Sequence, residues 1–231
     1  MSAFSQIDGV CLKVGIAYKA DFVNNLYYQF KQHNPTGKFY CYTDNKNRIH
    51  EDIECVKINS RYDERMWWNK CLLFEPERFM NPTVFFDLDS FIHNPIQPLV
   101  DGSDEFKPNF LHTHWFSENM AKIIHQCDVN SSIMVLHKRN YEQLWEEYRK
   151  NEVKLFKSFY GIDSWVFRRH RETISFLPPK LVYSLKYGSA YPDDTTPDKV
   201  RDNHIVAVLD NVEDKEKVLK GLWPKDVPSS T

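Results

Sequence analysis

The chain of 231 residues carries 30 basic and 32 acidic side chains, a formal net charge of −2. That balance supplies no basic field for nucleic acid or an anionic surface, and no apolar run approaches the roughly 18 residues of a membrane span. Hydrophobic content of 42% and a length suited to one α/β domain predict an ordinary packed core, enriched in rings by an aromatic content of 15%. The five cysteines (Cys11, Cys41, Cys55, Cys71, Cys127) form no Cys-x-x-Cys pair, so neither a zinc site nor a disulfide framework is indicated. Without a charged-then-apolar leader, a reducing cytoplasm is the expected location.

In chain order, residues 11–18 (CLKVGIAY) read as a first strand. Asp21 is then placed to cap a helix whose apolar positions Phe22, Val23, Leu26, Tyr27 and Phe30 recur at helical spacing. Asn34-Pro35-Thr36-Gly37 ends it, and residues 38–43 form a second strand running up to Asp44. Strand, helix and strand at this spacing predict a βαβ unit and a parallel sheet. A short strand over 53–58 and a helix over 64–74 follow, with Lys70 inside that helix. Then comes Val84-Phe85-Phe86-Asp87-Leu88-Asp89-Ser90, an apolar run that ends in two aspartates one residue apart. The run predicts a strand buried on both faces. Ligands of open α/β sheets sit at the carboxyl ends of such strands. Paired hard oxygens there suit Mg²⁺ or Mn²⁺ carrying a substrate phosphate, or else two exposed acids in a strand-end loop.

Beyond the acids, a turn or short helix at 95–100 and a polar loop at 101–108 lead to His112-Thr113-His114. This His-x-His pair would share one strand face, with His125 and Cys127 later, but satisfied histidines are the commoner reading. A strand over 130–136 precedes two amphipathic helices, 141–150 and 153–160. A further helix starts at Gly161-Ile162-Asp163, with Asp163 as its cap. Strands at 181–187 and 204–209 flank a polar loop, and a last helix over 213–221 is expected to stop at Gly221.

Two families place Asp-x-Asp after an apolar strand. The segment "FFDLDS" locally resembles haloacid-dehalogenase-type phosphohydrolases, but Phe91 stands where that family has Thr or Val, and a complete βαβ unit precedes the motif. The fuller resemblance, over nearly the whole chain, is to GT-A glycosyltransferases, particularly family 8 and its small bacterial and phage relatives. "VGIAYKADFVNNLYYQF" resembles their first strand and helix, and "FYCYTD" their second strand. "WWNKCLLFEPERF" is similar to the helix before the metal strand, and "VFFDLDSFIHNPIQPLVD" to the metal strand itself. "NSSIMVL" and "GIDSWVF" stand where Asn-Ser-Gly and Gly-x-Asp-Gln stretches usually lie, with Ser132 for Gly and Ser164 for Gln.

This resemblance implies an α/β fold, a single GT-A-like domain over 1–231 with a mostly parallel sheet flanked by helices. Residues 11–90 would form its nucleotide-binding half and 91–231 its acceptor side. The implied activity is metal-dependent transfer of a sugar from a nucleotide-sugar, a UDP-sugar, to a glycan, lipid or protein acceptor. It places Ala17, Tyr18 and Asp44 at the nucleoside, Asp87 and Asp89 on Mn²⁺ or Mg²⁺, and Lys70 near the diphosphate. Asn130, Ser131 and Asp163 would meet sugar hydroxyls, with Asp89, Asp163 and Lys70 as the catalytic candidates. The relatives' closing His-x-Gly-x-x-Lys-Pro stretch is missing after His204, and Asp210 is the candidate to replace its metal ligand. That departure keeps open a binding or structural protein that no longer transfers sugar.

Overall fold

A computed structural model describes residues 6–59, 65–113, 127–188, 203–209 and 214–222. β1 (Asp8–Lys13), α1 (Ala20–His33) and β2 (Phe39–Thr43) form the expected βαβ unit, with β3 (Glu54–Lys57) continuing the sheet outward. β1 begins earlier than its apolar run suggested, because Asp8 and Gly9 already pair with Thr83 and Val84 of β4 (Thr83–Phe86). Asp21 does not cap α1. Lys19 holds the cap position without a side-chain bond, and Asp21 lies in the first turn, where its charge favours the helix dipole instead.

Between β3 and β4 the segment Met66–Phe74 is a 3-10 helix, not the α-helix that its composition suggested. With three residues per turn, side chains three apart eclipse one another. Trp68, Cys71 and Phe74 therefore share one face, and all three are fully buried. Trp67 and Lys70 share the next face.

β4 is buried throughout, as the run Val84-Phe85-Phe86 predicts. Val84 and Phe86 join a core that includes Phe22, Leu26 and Phe30 of α1. Phe85 points the other way, into a core built on Trp68, Phe74 and Trp165. On its far side β4 meets β7 (Val129–Leu136) antiparallel, with Phe85 opposite Met134. β7 pairs antiparallel with β6 (Asn109–His112), and β6 pairs parallel with β8 (Ser175–Phe176). The sheet runs β3-β2-β1-β4-β7-β6-β8, parallel through β4 and mixed beyond it.

The chain leaves this sheet at Asp87. After Asp89 it enters a small second sheet through β5 (Ser90–Ile92), which pairs antiparallel with β10 (Val206–Val208). β10 in turn pairs parallel with β9 (Val182–Ser184). The acids thus occupy a corner between two sheets.

Helices complete the layers. α2 covers Gln97–Asp101. α3 (Glu142–Ser158) is two helical stretches joined across a kink at Asn151, φ −131° and ψ 19°, which falls at the break between the two helices expected. Asn151 Nδ2 donates to the Glu147 carbonyl at 3.1 Å across that kink. α4 (Ile162–His170) starts one residue before the expected cap, with Gly161 in the cap position. Ser164 Oγ accepts the Gly161 N–H at 3.2 Å and donates to its carbonyl at 2.8 Å, so Asp163 is free of capping duty. α5 (Lys215–Leu222) runs through Gly221 instead of stopping there. Among the described residues no helix is long and apolar enough to cross a membrane.

Candidate functional site

The corner after β4 is held by the backbone. The Asp87 N–H donates to the Ser132 carbonyl at 2.9 Å, Ser90 N–H to the Asp87 carbonyl at 3.0 Å, and Leu209 N–H to the Asp89 carbonyl at 3.1 Å. Leu88 between the acids is buried, which turns both neighbouring carboxylates toward the same cleft. That cleft, about 340 Å³, is lined by Leu12, Val14, Ala17 and Tyr18, by Met66, Trp67 and Lys70 of the 3-10 helix, and by Asp87, Leu88 and Asp89. The 3-10 spacing explains why Trp67 and Lys70 face it together.

Lys70 is a buried cation with all its bonds accounted for. Its Nζ lies 2.8 Å from each carboxylate oxygen of Asp87, and 3.2 and 3.3 Å from the carbonyl and hydroxyl of Ser131. Asp87 keeps a quarter of its side-chain surface exposed. Its acid group is nevertheless pushed up to about 6, because burial and the nearby Asp89 charge outweigh the pull of Lys70. Burial also raises Asp163, against the opposing influence of Lys70 and hydrogen bonds from Ser131. Asp163 Oδ1 is buried without a hydrogen-bond partner among the described residues. Asp163 is not among the residues that line the cleft.

Asp89 is paired differently. Its Oδ2 accepts from the Tyr18 hydroxyl at 3.1 Å and contacts the ammonium of Lys215 at the start of α5. Burial and the charges of Asp89 and Asp87 hold the Tyr18 phenol far above its usual range, so it remains a donor. Tyr18 is fixed in turn by an edge-on contact with Phe22, ring centroids 5.0 Å apart.

Of the residues singled out from sequence, the fold brings Ala17, Tyr18, Lys70, Asp87, Asp89, Ser131 and Asp163 to one place. Asp44 stands at its edge: Oδ2 accepts the Gly15 N–H at 2.9 Å, fixing the loop that carries Ala17 and Tyr18. It lines a neighbouring hollow of about 240 Å³ with Lys46 and Lys57. Asn130 Oδ1 is occupied by the Ser132 N–H at 2.8 Å. Asp210 lies outside the described residues, as do His114 and His125. His112 sits 3.6 Å from Asp128, and Cys127 donates to the Val129 carbonyl at 3.4 Å. Among the described residues no group of three or more His, Cys, Asp or Glu is placed to hold a metal. Two carboxylates still suffice for a hard divalent cation that completes its shell with phosphate oxygens and water. Asp87 and Asp89 fit that role chemically, each currently balanced by a lysine. Sequence reasoning missed Lys215, Trp67 and Met66. Trp67 escaped because a 3.0 repeat is not readable in that apolar run, and nothing in the sequence flags Lys215.

A mixed sheet with this corner and helices on its faces is a GT-A-like glycosyltransferase fold. Solved structures bear the likeness out. The chain superposes on the galactosyltransferase LgtC in complex with donor and acceptor sugar analogues with a TM-score of 0.64 at 12% identity, covering 96% of this chain and 98% of that one. An active-site mutant of LgtC gives 0.63 at 13% identity over the same shares. The bifunctional glycosyltransferase WbbM in its apo form gives 0.61 at 11% identity, over 92% of this chain and 47% of WbbM. No protein-family model matches the sequence, and no curated protein matches it significantly. At these identities the likeness is one of fold.

Proposed function

We propose that the chain is a metal-dependent glycosyltransferase that moves a sugar from a nucleotide-sugar, a UDP-sugar, to a glycan, lipid or protein acceptor. The observation that carries this reading is the cleft at the β4 corner. It gathers two carboxylates and a buried lysine beside the rings of Tyr18 and Trp67, in a fold shared with glycosyltransferases.

Transfer breaks the bond between the anomeric carbon and a diphosphate oxygen, leaving charge on the departing diphosphate. Asp89 is the residue to hold Mn²⁺ or Mg²⁺ directly, and the cation when bound would supply Lewis-acid neutralisation of that charge; Asp87, whose two oxygens are taken by Lys70, would reach the metal through water or contact the ribose. Asp210, which follows Leu209 in the chain, is the proposed third ligand. Lys70 adds fixed positive charge in the cleft, preorganised by Ser131 and Asp87 and so costing no reorganisation during reaction. Tyr18 orients the Asp89 carboxylate through its hydroxyl and presents a ring to the nucleoside, with Ala17 beside it and Asp44 shaping the loop. Asp163 Oδ1 and Ser131 suit sugar hydroxyls, with Asn130 at the margin. The phosphohydrolase alternative has less support, because the Asp-x-Asp strand enters as the fourth of the sheet instead of opening it. In the reading as a silent binding protein the cleft would take the nucleotide without turnover.

Asp89→Ala tests the proposal. Transfer from UDP-sugars should fall by at least about 10²–10³-fold, the loss typical of a removed electrostatic stabiliser, while thermal unfolding stays near that of the wild type. Wild-type turnover in that variant would sink the assignment.

A further inference from the structure

Lys215 opens α5, and its ammonium contacts Asp89 Oδ2, the oxygen that Tyr18 also reaches. A lysine in the first turn of a helix opposes the helix dipole, whose positive end lies there. Its position is therefore favoured by Asp89 and not by the helix. Asp214 caps α5 with its carboxylate, Oδ1 accepting the Lys217 N–H at 3.2 Å. Two further contacts dock the helix: Glu216 meets Lys19, just ahead of α1, at 3.0 Å, and Val218 packs on the core beneath.

The two lysines of the site differ in mobility. Lys70 is buried and braced by Ser131 as well as Asp87. The Lys215 side chain is 31% exposed and the Asp89 side chain 17%. Lys215 can therefore swing into solvent on its flexible stem without opening either core.

We propose that Lys215 and the divalent cation are alternative occupants of Asp89, and that Lys215, at the head of α5, is a latch on the donor site. It closes onto Asp89 when no cation is bound and releases when one is. This rests on the metal reading given above. A cation ligated by Asp89 would lie about 2 Å from the carboxylate oxygen, and an ammonium on that same oxygen would then face it at roughly 3–4 Å in a partly desolvated corner. Like charges at that distance repel too strongly to coexist there. By linkage, whatever the latch contact contributes lowers the cation's apparent affinity by the same factor.

The experiment is a Mn²⁺ titration of the full chain, free Mn²⁺ read by electron paramagnetic resonance, on the wild type, Lys215→Met and Glu216→Gln. Methionine keeps the stem and removes the charge; the glutamine loosens the docked helix without touching Asp89. Lys215→Met should bind Mn²⁺ about five- to tenfold more tightly, and Glu216→Gln should shift the same way by about twofold. In the wild type, Mn²⁺ should speed hydrogen exchange of the amides of α5, and that response should vanish in Lys215→Met. Equal Mn²⁺ affinity in all three proteins, or weaker binding by a normally melting Lys215→Met, overturns the latch and leaves the metal reading standing. No Mn²⁺ binding in any of them overturns both.

Discussion

Replacing Lys70 by methionine tests whether the cleft is held by charge. The substitution keeps the stem but removes the ammonium that lies 2.8 Å from both oxygens of Asp87. Breaking a buried pair by deleting one partner costs about 3–5 kcal/mol, because the other charge is left uncompensated. Asp87 retains a quarter of its exposure, so the lower end, about 3 kcal/mol, is expected at pH 8. For a chain of this size that is a fall in melting temperature of roughly 6–12 °C. The loss should depend on pH in a defined direction. With Lys70 present, the Asp87 acid is already raised to about 6. An acid raised above its unfolded value binds its proton more tightly when folded, so stability falls as pH rises through the interval between the two values. Without Lys70 the folded value rises further. The deficit of Lys70→Met should therefore be largest at pH 8 and shrink toward pH 5, where Asp87 takes up a proton. Thermal unfolding at both pH values measures this, and adding Asp87→Asn to Lys70→Met should recover most of the loss at pH 8. A deficit under about 1 kcal/mol, or one that is equal at pH 5 and pH 8, would refute the reasoning.

Asp163→Asn should leave stability within about 1 kcal/mol, since an amide oxygen can still accept from Ser131. Sugar transfer should nevertheless drop by about 10²-fold in a UDP-sugar assay if that carboxylate meets donor hydroxyls. Gly15→Ala should destabilise by about 1–3 kcal/mol in thermal melts: the backbone there has φ +70°, and an added Cβ would approach Met66 Sδ to 2.5 Å.

The parts of this protein that were legible in its sequence are those set by a single strong pattern. The run 84–86 could only be a strand buried on both faces, and it is; the two acids that end it mark the corner of the fold. The βαβ opening follows from the helical spacing of Phe22, Leu26 and Phe30. Less legible was Met66–Phe74, where apolar residues surround the helix almost completely and leave no polar stripe to separate a 3.6 from a 3.0 repeat. Asp163 fits a cap motif equally well from sequence, yet Ser164 takes that duty from one residue further on. The antiparallel entry of β7 and the departure of the chain into a second sheet at Ser90 are tertiary facts without a local signature. So is the meeting of Lys215 with Asp89, residues far apart in sequence joined only by the docking of α5.

The most direct test of the central claim is thermal unfolding in the presence of UDP, GDP or CDP, each with and without Mn²⁺. A ligand that binds only the folded state raises its apparent stability by about 2.7 kcal/mol at a hundredfold excess over its dissociation constant. A donor site at the β4 corner predicts a rise of several degrees with UDP that requires Mn²⁺ and is absent in Asp89→Ala. No rise with any nucleotide, or a rise indifferent to both the cation and Asp89, would contradict it.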